Sequence, residues 1–245
     1  MERLPELQCS RKFSKIFLIG DSQTQDAFSE QSGWGSLISN HFQRRCDVLN
    51  RGLYGYNTRW VKLVLNQLID EANVEKIAAV VIFLGSNDAN SKAVFPQYHV
   101  PLTEYTSLLG DMVDYITDLG VSREKIILVS APPFDEEQWI KTLIANGDAP
   151  LSGLDNVTLK LYAEACNEVA AEKEVNSVDL FSEMISKENW KKYVCDDGLH
   201  LAKEGGKLLA EMLIQKLDKI CEKHTTWFPH CDSIDNENPA PSFGL

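Results

Sequence analysis

The run from Ala78 to Leu84 consists only of apolar residues, and it is the feature that most restricts the fold. A strand with one solvated face alternates polar and apolar residues, whereas a central parallel strand is covered by helices on both faces and is apolar throughout. The run therefore predicts a buried parallel strand. Because parallel neighbours are joined by crossover connections, the rest of the chain should alternate strands with helices.

Four further apolar runs are typical of strands, and longer segments with helical spacing separate them. Together with the central run they predict strands at 15–20, 47–51, 77–84, 125–130 and 176–180. The clearest helix runs from Pro101 to Gly120, where apolar residues recur every three or four positions. Two more apolar stripes predict helices that pack on the sheet, at Trp60, Val64 and Leu68 and at Leu209, Leu213, Leu217 and Ile220. The order of elements predicts an α/β fold, a three-layer αβα sandwich with a five-stranded parallel sheet.

The length and composition fit one globular domain with short extensions. The 245 residues include 44% hydrophobic and 24% charged residues, as in ordinary globular proteins. We predict an N-terminal extension at 1–14, a single domain at 15–223 and a C-terminal tail at 224–245. Residues 1–6 carry charge and proline where a signal peptide needs an apolar core, and no run approaches the roughly 18 apolar residues of a membrane span. These features predict a cytoplasmic protein without stable membrane insertion.

The net charge argues against nucleic acid as a partner, and the cysteine spacing argues against disulfides and a metal site. The 24 Lys and Arg residues against 36 Asp and Glu residues give a net charge of -12, which opposes the phosphate attraction needed to bind nucleic acid. The six cysteines, Cys9 among them, are scattered without short paired spacings, which predicts reduced thiols. A zinc site at Cys221, His224, His230 and Cys231 also lacks a paired spacing, so we predict no metal.

Polar residues and a glycine follow several predicted strands, where open α/β sheets bind their ligands. They are Ser22, Gly55, Asn87, and, after an intervening helix, Asp197 and His200. Each has a structural explanation when taken alone, such as a helix cap for Ser22 and its neighbour Asp21, or a turn for Gly55 and Asn87. Structural capping does not require all of them at one edge. A serine hydroxyl with an imidazole base and a carboxylate instead indicates acyl transfer.

Four segments of the chain resemble the signature blocks of the SGNH, or GDSL-type, hydrolase superfamily, which has a flavodoxin-like fold. They are Gly20-Asp-Ser22, residues 51–60, Gly85-Ser-Asn-Asp88 and Asp197-Gly-Leu-His200. Within that superfamily, residues 51–60, 85–88 and 98–101 look like the isoamyl acetate-hydrolysing esterase group of eukaryotes.

The resemblance implies a role for each matching residue. Ser22 would be the nucleophile, His200 its general base and Asp197 the carboxylate that orients the imidazole. The oxyanion donors would be the Ser22 N–H, the Gly55 N–H and the side-chain amide of Asn87. Gln23 departs from the family motif, which has leucine after the serine. The implied protein is a serine esterase that needs no cofactor and hydrolyses small carboxylic esters of short-chain, acetate-type acids through an acyl-serine intermediate.

The substrate itself is open at this level. A lysophospholipase or a thioesterase of the same fold would carry the same residues. Loops at 89–100 and 134–155 should rise over the site, and we predict that their side chains Phe95, Tyr98, His99, Phe134 and Trp139 line a pocket. Ordinary anchoring of the loops explains these residues equally well.

Two functions of other classes also remain. A flavodoxin-like binding module would place a phosphate near the hydroxyls of Ser22 and Thr24. An inactive scaffold would keep the fold and use the same edge for protein contacts. The oligomeric state, including a homodimer, is open as well.

Overall fold

The structure is a computed structural model that describes residues 13–69, 74, 76–224 and 226–243. Within this part of the chain, five strands form one sheet in which all neighbouring strands are parallel. They are β1 (Ser14–Gly20), β2 (Cys46–Gly52), β3 (Ile77–Phe83), β4 (Ile126–Val129) and β5 (Asn176–Val178). The predicted five-stranded parallel sheet is confirmed, and each strand begins and ends within two residues of its predicted bounds.

Eight α-helices lie in the described residues and connect or follow the strands. They are α1 (Ser22–Gln25), α2 (Trp34–His41), α3 (Thr58–Leu68), α4 (Leu102–Asp118), α5 (Glu136–Ala145), α6 (Asn156–Glu172), α7 (Leu180–Ile185) and α8 (Lys203–Ile220).

The sheet is the middle of three layers, because residues of each strand point alternately to two separate cores. In β1, Phe17 and Ile19 pack with residues of α3, α4 and α6, whereas Ile16 and Leu18 pack with residues of α2 and α8. Every residue of β3 is buried, as the apolar run predicts. The αβα sandwich is therefore confirmed.

The order of the strands places a crevice at the end of β1. The sheet runs β2-β1-β3-β4-β5, so β1 has β2 on one side and β3 on the other. The connection leaving β1 leads to β2 through α2 and the connection leaving β3 leads to β4 through α4, so the two diverge over opposite faces of the sheet. A ligand site in such a sheet lies at this divergence, outside the carboxyl ends of the strands. Gly20, the last residue of β1, is followed directly by Asp21 and Ser22.

The segment at 134–155, which we predicted as a loop, contains helix α5. Asp135 caps this helix by accepting a hydrogen bond from the backbone N–H of Gln138 at 3.4 Å, and Glu136 and Glu137 lie in its first turn. Both features favour a helix N-terminus. The prediction was wrong because α5 buries only Leu143, so its sequence lacks a strong apolar stripe.

The buried face of α3 also differs from the prediction by one position. The stripe at Trp60, Val64 and Leu68 is half-buried, whereas Val61 and Leu65 are buried. Because neighbouring positions differ by about 100° around a helix axis, the two stripes flank each other. The α4 stripe is placed as predicted, with Tyr105 and Leu109 in the core.

The ends of the chain are described only in part. Cys9 and most of the predicted extension at 1–14 lie outside the described residues. In the predicted tail, the Trp227 N–H donates to the Arg44 carbonyl at 3.0 Å, and the Trp227 ring contacts Phe13. No helix in the described ranges has both the length and the apolar character needed to cross a membrane. The domain boundaries stay a prediction.

Candidate active site

Ser22 stands at the first position of α1, directly behind the carboxyl end of β1. Asp21 is the N-cap of this short helix, and its Oδ1 accepts a hydrogen bond from the Gln23 N–H at 2.9 Å. The capping explanation from the sequence thus applies to Asp21 and leaves the Ser22 hydroxyl available. Gly20 permits the tight turn from strand to helix, since a Cβ there would lie 2.3 Å from the Phe83 carbonyl oxygen.

The hydroxyl of Ser22, the imidazole of His200 and the carboxylate of Asp197 form a hydrogen-bonded chain. The distance from Ser22 Oγ to His200 Nε2 is 2.9 Å, and that from His200 Nδ1 to Asp197 Oδ2 is 2.6 Å. The other carboxylate oxygen of Asp197 accepts from the backbone N–H groups of Leu199 at 2.8 Å and His200 at 3.0 Å. The carboxylate is therefore fixed by its own loop and keeps one oxygen for the imidazole.

The hydrogen bond between Asp197 and His200 stabilises the charged forms of both side chains. Partial burial opposes ionisation of Asp197, but hydrogen bonds from the His200 side chain and the Leu199 N–H outweigh it and lower the pKa of the carboxyl. Burial likewise disfavours the imidazolium, but the hydrogen bond and charge of Asp197 raise the pKa of His200 above its ordinary value. His200 is thus a stronger base than a free imidazole, and Asp197 stays ionised beside it.

Three hydrogen-bond donors line the same cavity as the Ser22 hydroxyl. The backbone N–H groups of Ser22 and Gly55 have no hydrogen-bond partner within the described part of the chain. Gly55 has a φ of 75°, a conformation that strains other residues. The Asn87 side-chain amide donates to the Tyr56 carbonyl at 2.9 Å, which fixes its orientation. Donors held in this way suit a developing oxyanion.

The cavity has a volume of about 460 Å³ and a mainly apolar wall. Of the predicted pocket residues, Phe95, Tyr98 and Trp139 line it. Its other apolar or aromatic lining residues are Tyr54, Val94, Leu143, Ala149, Leu151, Leu154 and Leu199. Leu143 of α5 and Ala149, Leu151 and Leu154 of the segment after it were not predicted, because residues 134–155 were interpreted as a loop without helical structure.

Phe134 and His99 do not line the cavity, contrary to prediction. Phe134 is 1% exposed and belongs to the core. Its backbone N–H donates to Asn156 Oδ1, and its carbonyl accepts from Asn156 Nδ2, both at 2.8 Å. His99 Nδ1 lies 2.7 Å from the Asn90 carbonyl oxygen, and the His99 carbonyl accepts from Arg59 at 3.1 Å. Both residues anchor their loops, which is the alternative that the sequence left open.

The tail contains a small group of metal-ligand types at His230, Cys231 and Asp232. Their ligand atoms lie within 4.8 Å of one another, but the three residues are consecutive and exposed. Cys221, which we considered from the sequence as part of a zinc site, is buried and has Cys46 as a side-chain partner. Cys46, Cys166, Cys195, Cys221 and Cys231 are free.

Two buried carboxyls beneath the cavity should make stability depend on pH. Burial raises the pKa of Asp21 to about 7 and that of Asp88 to about 6, from an ordinary value of 3.8. A folded state with a raised pKa binds the proton more tightly than the unfolded state. The stabilisation that each protonated carboxyl adds to the folded state is therefore complete below about pH 4. It is lost as the pH rises towards 7.

We expect Asp21→Asn to relieve this loss, because asparagine keeps the cap and carries no charge. The difference in unfolding temperature, variant minus wild type, should increase as the pH is raised from 5 to 8. Circular dichroism measures both unfolding temperatures. Asp235→Asn makes the same chemical change in the exposed tail, away from the buried carboxyls, and is the control for the substitution itself. A constant difference for Asp21→Asn would contradict the assignment of a raised pKa.

The fold and this cavity define an α/β protein in which a serine hydroxyl is hydrogen-bonded to an imidazole at the carboxyl ends of a parallel sheet. The model of the GDSL-like lipase/acylhydrolase family matches residues 18–208. The chain therefore belongs to this family.

Several curated proteins are similar to nearly the whole chain. The isoamyl acetate-hydrolyzing esterase 1 homolog of Mus musculus is 39% identical over 230 residues, which cover 93% of this chain and 91% of the relative. The Homo sapiens homolog is 35% identical over 229 residues, with the same coverage of both chains. Family membership and relatives named as esterases support a carboxylic ester hydrolase.

Solved structures share the fold at lower sequence identity. A lipase/acylhydrolase from Enterococcus faecalis has a TM-score of 0.67 and 23% identity, and the match covers 87% of this chain and 98% of that one. A catalytic mutant of Axe2, an acetylxylan esterase from Geobacillus stearothermophilus, has a TM-score of 0.62 and 21% identity, with coverage of 84% and 95%.

Proposed function

We propose that the protein is a serine esterase that hydrolyses small, neutral carboxylic esters through an acyl-serine intermediate. The observation that carries this proposal is the 2.9 Å contact between Ser22 Oγ and His200 Nε2 in a cavity that is also lined by Gly55 and Asn87. Ser22 is the nucleophile, His200 the general base and Asp197 the carboxylate that orients the imidazole.

The reaction follows from the positions of these groups. His200 Nε2 takes the proton of Ser22 as the hydroxyl oxygen attacks the ester carbonyl. The carbonyl oxygen becomes an oxyanion and is stabilised by the N–H groups of Ser22 and Gly55 and by the Asn87 amide. The imidazolium then protonates the departing alcohol. Water, deprotonated by His200, attacks the acyl-serine and releases the acid, which returns both residues to their starting states.

The character of the cavity favours neutral esters with a short acyl chain. Its volume is at the lower end of the roughly 300–1,000 Å³ typical of small-molecule sites, and much of its wall is apolar. Asp148 is the acidic residue of the lining, and no Lys or Arg is among the lining residues in the described chain. Lysophospholipids and coenzyme A thioesters carry phosphate, so this lining supports neutral esters instead. The relatives named for isoamyl acetate support an acetate-type acid.

A series of p-nitrophenyl esters tests the substrate class. We expect kcat/KM to be highest for acetate to butyrate and to fall at least about tenfold by dodecanoate, because a long chain exceeds the cavity. Labelling by a fluorophosphonate, mapped to Ser22 by mass spectrometry, tests the nucleophile in the same preparation. A maximum at dodecanoate would contradict the short-chain assignment, whereas labelling at another residue would contradict the mechanism.

Asn87→Ala tests the oxyanion site. We expect kcat to fall by about 10²–10³, because a single oxyanion donor contributes that much in serine hydrolases. KM should change little, since the negative charge develops only in the transition state. Steady-state hydrolysis of p-nitrophenyl acetate measures both constants. Asn66→Ala, on the exposed side of α3, is the matched control and should keep wild-type kcat. Equal kcat in both variants would remove Asn87 from the oxyanion site.

The flavodoxin-like alternative has less support. It needs the hydroxyls of Ser22 and Thr24 in one phosphate site, but Thr24 is fully buried and is not among the residues that line the cavity. The carboxyl of Asp21, which directly precedes Ser22, is buried and would repel a phosphate when ionised. The absence of a cofactor and the cytoplasmic location stay predictions from the sequence.

A further inference from the structure

Gln23, the residue that departs from the family motif, connects the two halves of the candidate site. It follows Ser22 directly in α1 and is 2% exposed. Its side-chain Nε2 donates to the Leu199 carbonyl at 2.9 Å, and its Oε1 accepts from the Leu201 N–H at 3.1 Å. These two partners stand immediately before and after His200. One side chain therefore holds both peptide groups that flank the imidazole residue.

The backbone around His200 depends on Gln23 along one edge. On one edge, the His200 N–H donates to Asp197 at 3.0 Å and the His200 carbonyl accepts from the Cys195 N–H at 2.7 Å. Both partners on this edge belong to the same loop as His200. The opposite edge, formed by the Leu199 carbonyl and the Leu201 N–H, bonds to the Gln23 amide. A primary amide presents N–H donors and a carbonyl acceptor in one plane, so it can pair with a backbone edge as the peptide of a neighbouring strand does. Leucine offers neither group.

The Gln23 side chain extends from a backbone that is itself fixed. The Gln23 N–H donates to Asp21 Oδ1 at 2.9 Å, and its carbonyl accepts from Trp34 Nε1 at 3.0 Å. Because Gln23 is covalently bonded to Ser22, its amide fixes the His200 segment directly relative to the hydroxyl. Asp197 belongs to the same loop as His200 and cannot supply this connection.

We propose that Gln23 is a positioning residue that holds the His200 imidazole in line with Ser22 Oγ. The proposal concerns the chemistry of the same site and rests on the proposed function for its kinetic consequences. Its structural consequence, the placement of the imidazole, stands apart from any activity. Positioning errors of about 1 Å can cost two orders of magnitude in rate.

Two substitutions separate positioning from general stability. Gln23→Leu removes both hydrogen bonds, and we expect kcat to fall about 10–100-fold with KM nearly unchanged, measured below the unfolding temperature of the variant. Gln23→Glu can make both hydrogen bonds only when its carboxyl is protonated. Its kcat relative to wild type should therefore decrease as the pH rises, whereas the deficit of Gln23→Leu should not depend on pH in this way.

Ser130→Ala is the matched control. Ser130 is also fully buried, donates to Asp179 at 3.2 Å and accepts from the Phe181 N–H at 3.1 Å, and it does not line the cavity. We expect this variant to lower the unfolding temperature and to leave kcat and its pH profile at wild-type values. A loss of kcat in Ser130→Ala as large as that in Gln23→Leu would show that destabilisation alone explains the effect.

NMR of the His200 ring provides a readout that does not need activity. In the wild type, the Nδ1 proton in the hydrogen bond to Asp197 should resonate at low field and report the imidazole titration. Gln23→Leu should broaden this signal or shift the titration midpoint, and an unchanged signal and midpoint would overturn the proposal. If the signal responds but wild type neither hydrolyses esters nor reacts with a fluorophosphonate, the positioning role stands and the esterase function fails.

Discussion

Ser22→Ala is expected to lower kcat for ester hydrolysis by about 10⁴-fold or more, to the level left by the oxyanion donors alone. The substitution removes the only atom that can form the acyl-enzyme bond in the proposed mechanism. It removes one oxygen from a small side chain, so the unfolding temperature should change little. Hydrolysis of p-nitrophenyl acetate measures the rate, and fluorophosphonate labelling should disappear together with the burst of p-nitrophenol.

A serine outside the site controls for the loss of a hydroxyl. Ser122 is exposed, and its Oγ donates to Glu124 Oε1 at 3.4 Å. Ser122→Ala should keep the wild-type rate, burst and labelling. Full activity of Ser22→Ala would exclude Ser22 as the nucleophile. A wild-type protein that is inactive on every ester and unlabelled would favour the inactive scaffold instead.

Asp197→Asn is expected to lower kcat by about 10⁴-fold, the cost of the same change in a well-studied serine protease. Asparagine can keep the bonds that Asp197 Oδ1 accepts from Leu199 and His200, so the loop should retain its shape. An amide group in place of Oδ2 would donate to His200 Nδ1 and put the ring proton on Nε2. The tautomer of the imidazole that can accept the proton of Ser22 would then be the minor one, and the residual activity would come from it.

The residual activity of this variant should also respond differently to pH. The neutral imidazole is the base, so the rate rises as the pH passes through the pKa of His200. Asp197 raises that pKa in the wild type, so its removal should move the midpoint of the rise to lower pH. A pH series of kcat/KM measures the shift. A midpoint that stays in place would mean that the rate is not governed by His200.

The neighbouring carboxylate provides a close control for this experiment. Asp196 is exposed and contacts Gln138 and Thr142 through its backbone carbonyl. Asp196→Asn makes the same chemical change one residue away and should keep kcat within about twofold, as surface substitutions usually do. Equal losses in Asp196→Asn and Asp197→Asn would indicate a general effect of negative charge near the cavity.

The sequence predicted the sheet closely because its central strands β1, β3 and β4 are buried on both faces over most of their length. Such strands are continuous apolar runs, and their ends are marked by the glycine and polar residues of the following turns. The same logic found the residues of the candidate site, since parallel strands bring the segments after Gly20, Gly52 and Phe83 to one edge. Periodicity failed for α5, which lies at the surface and buries a single residue.

The details of the cavity could not be predicted from the sequence for a different reason. Phe134, which anchors a loop, and Trp139, which lines the cavity, are aromatic residues of the same segment. Their side chains are equally apolar, so only the path of the backbone decides which one meets the substrate. The contacts of Gln23 with Leu199 and Leu201 join residues more than 170 positions apart. The sequence showed only that this position departs from the family motif.

The two sides of the cavity have separate origins along the chain. The candidate catalytic groups stand at strand ends and in the His200 loop, whereas Trp139, Leu143, Leu151 and Leu154 belong to one stretch between β4 and α6. Insertions, deletions and substitutions in that stretch can therefore reshape what the enzyme accepts while the sheet and its chemistry stay intact. This stretch can therefore vary independently of the rest of the site. A chimera that exchanges it between relatives should change which substrates are accepted.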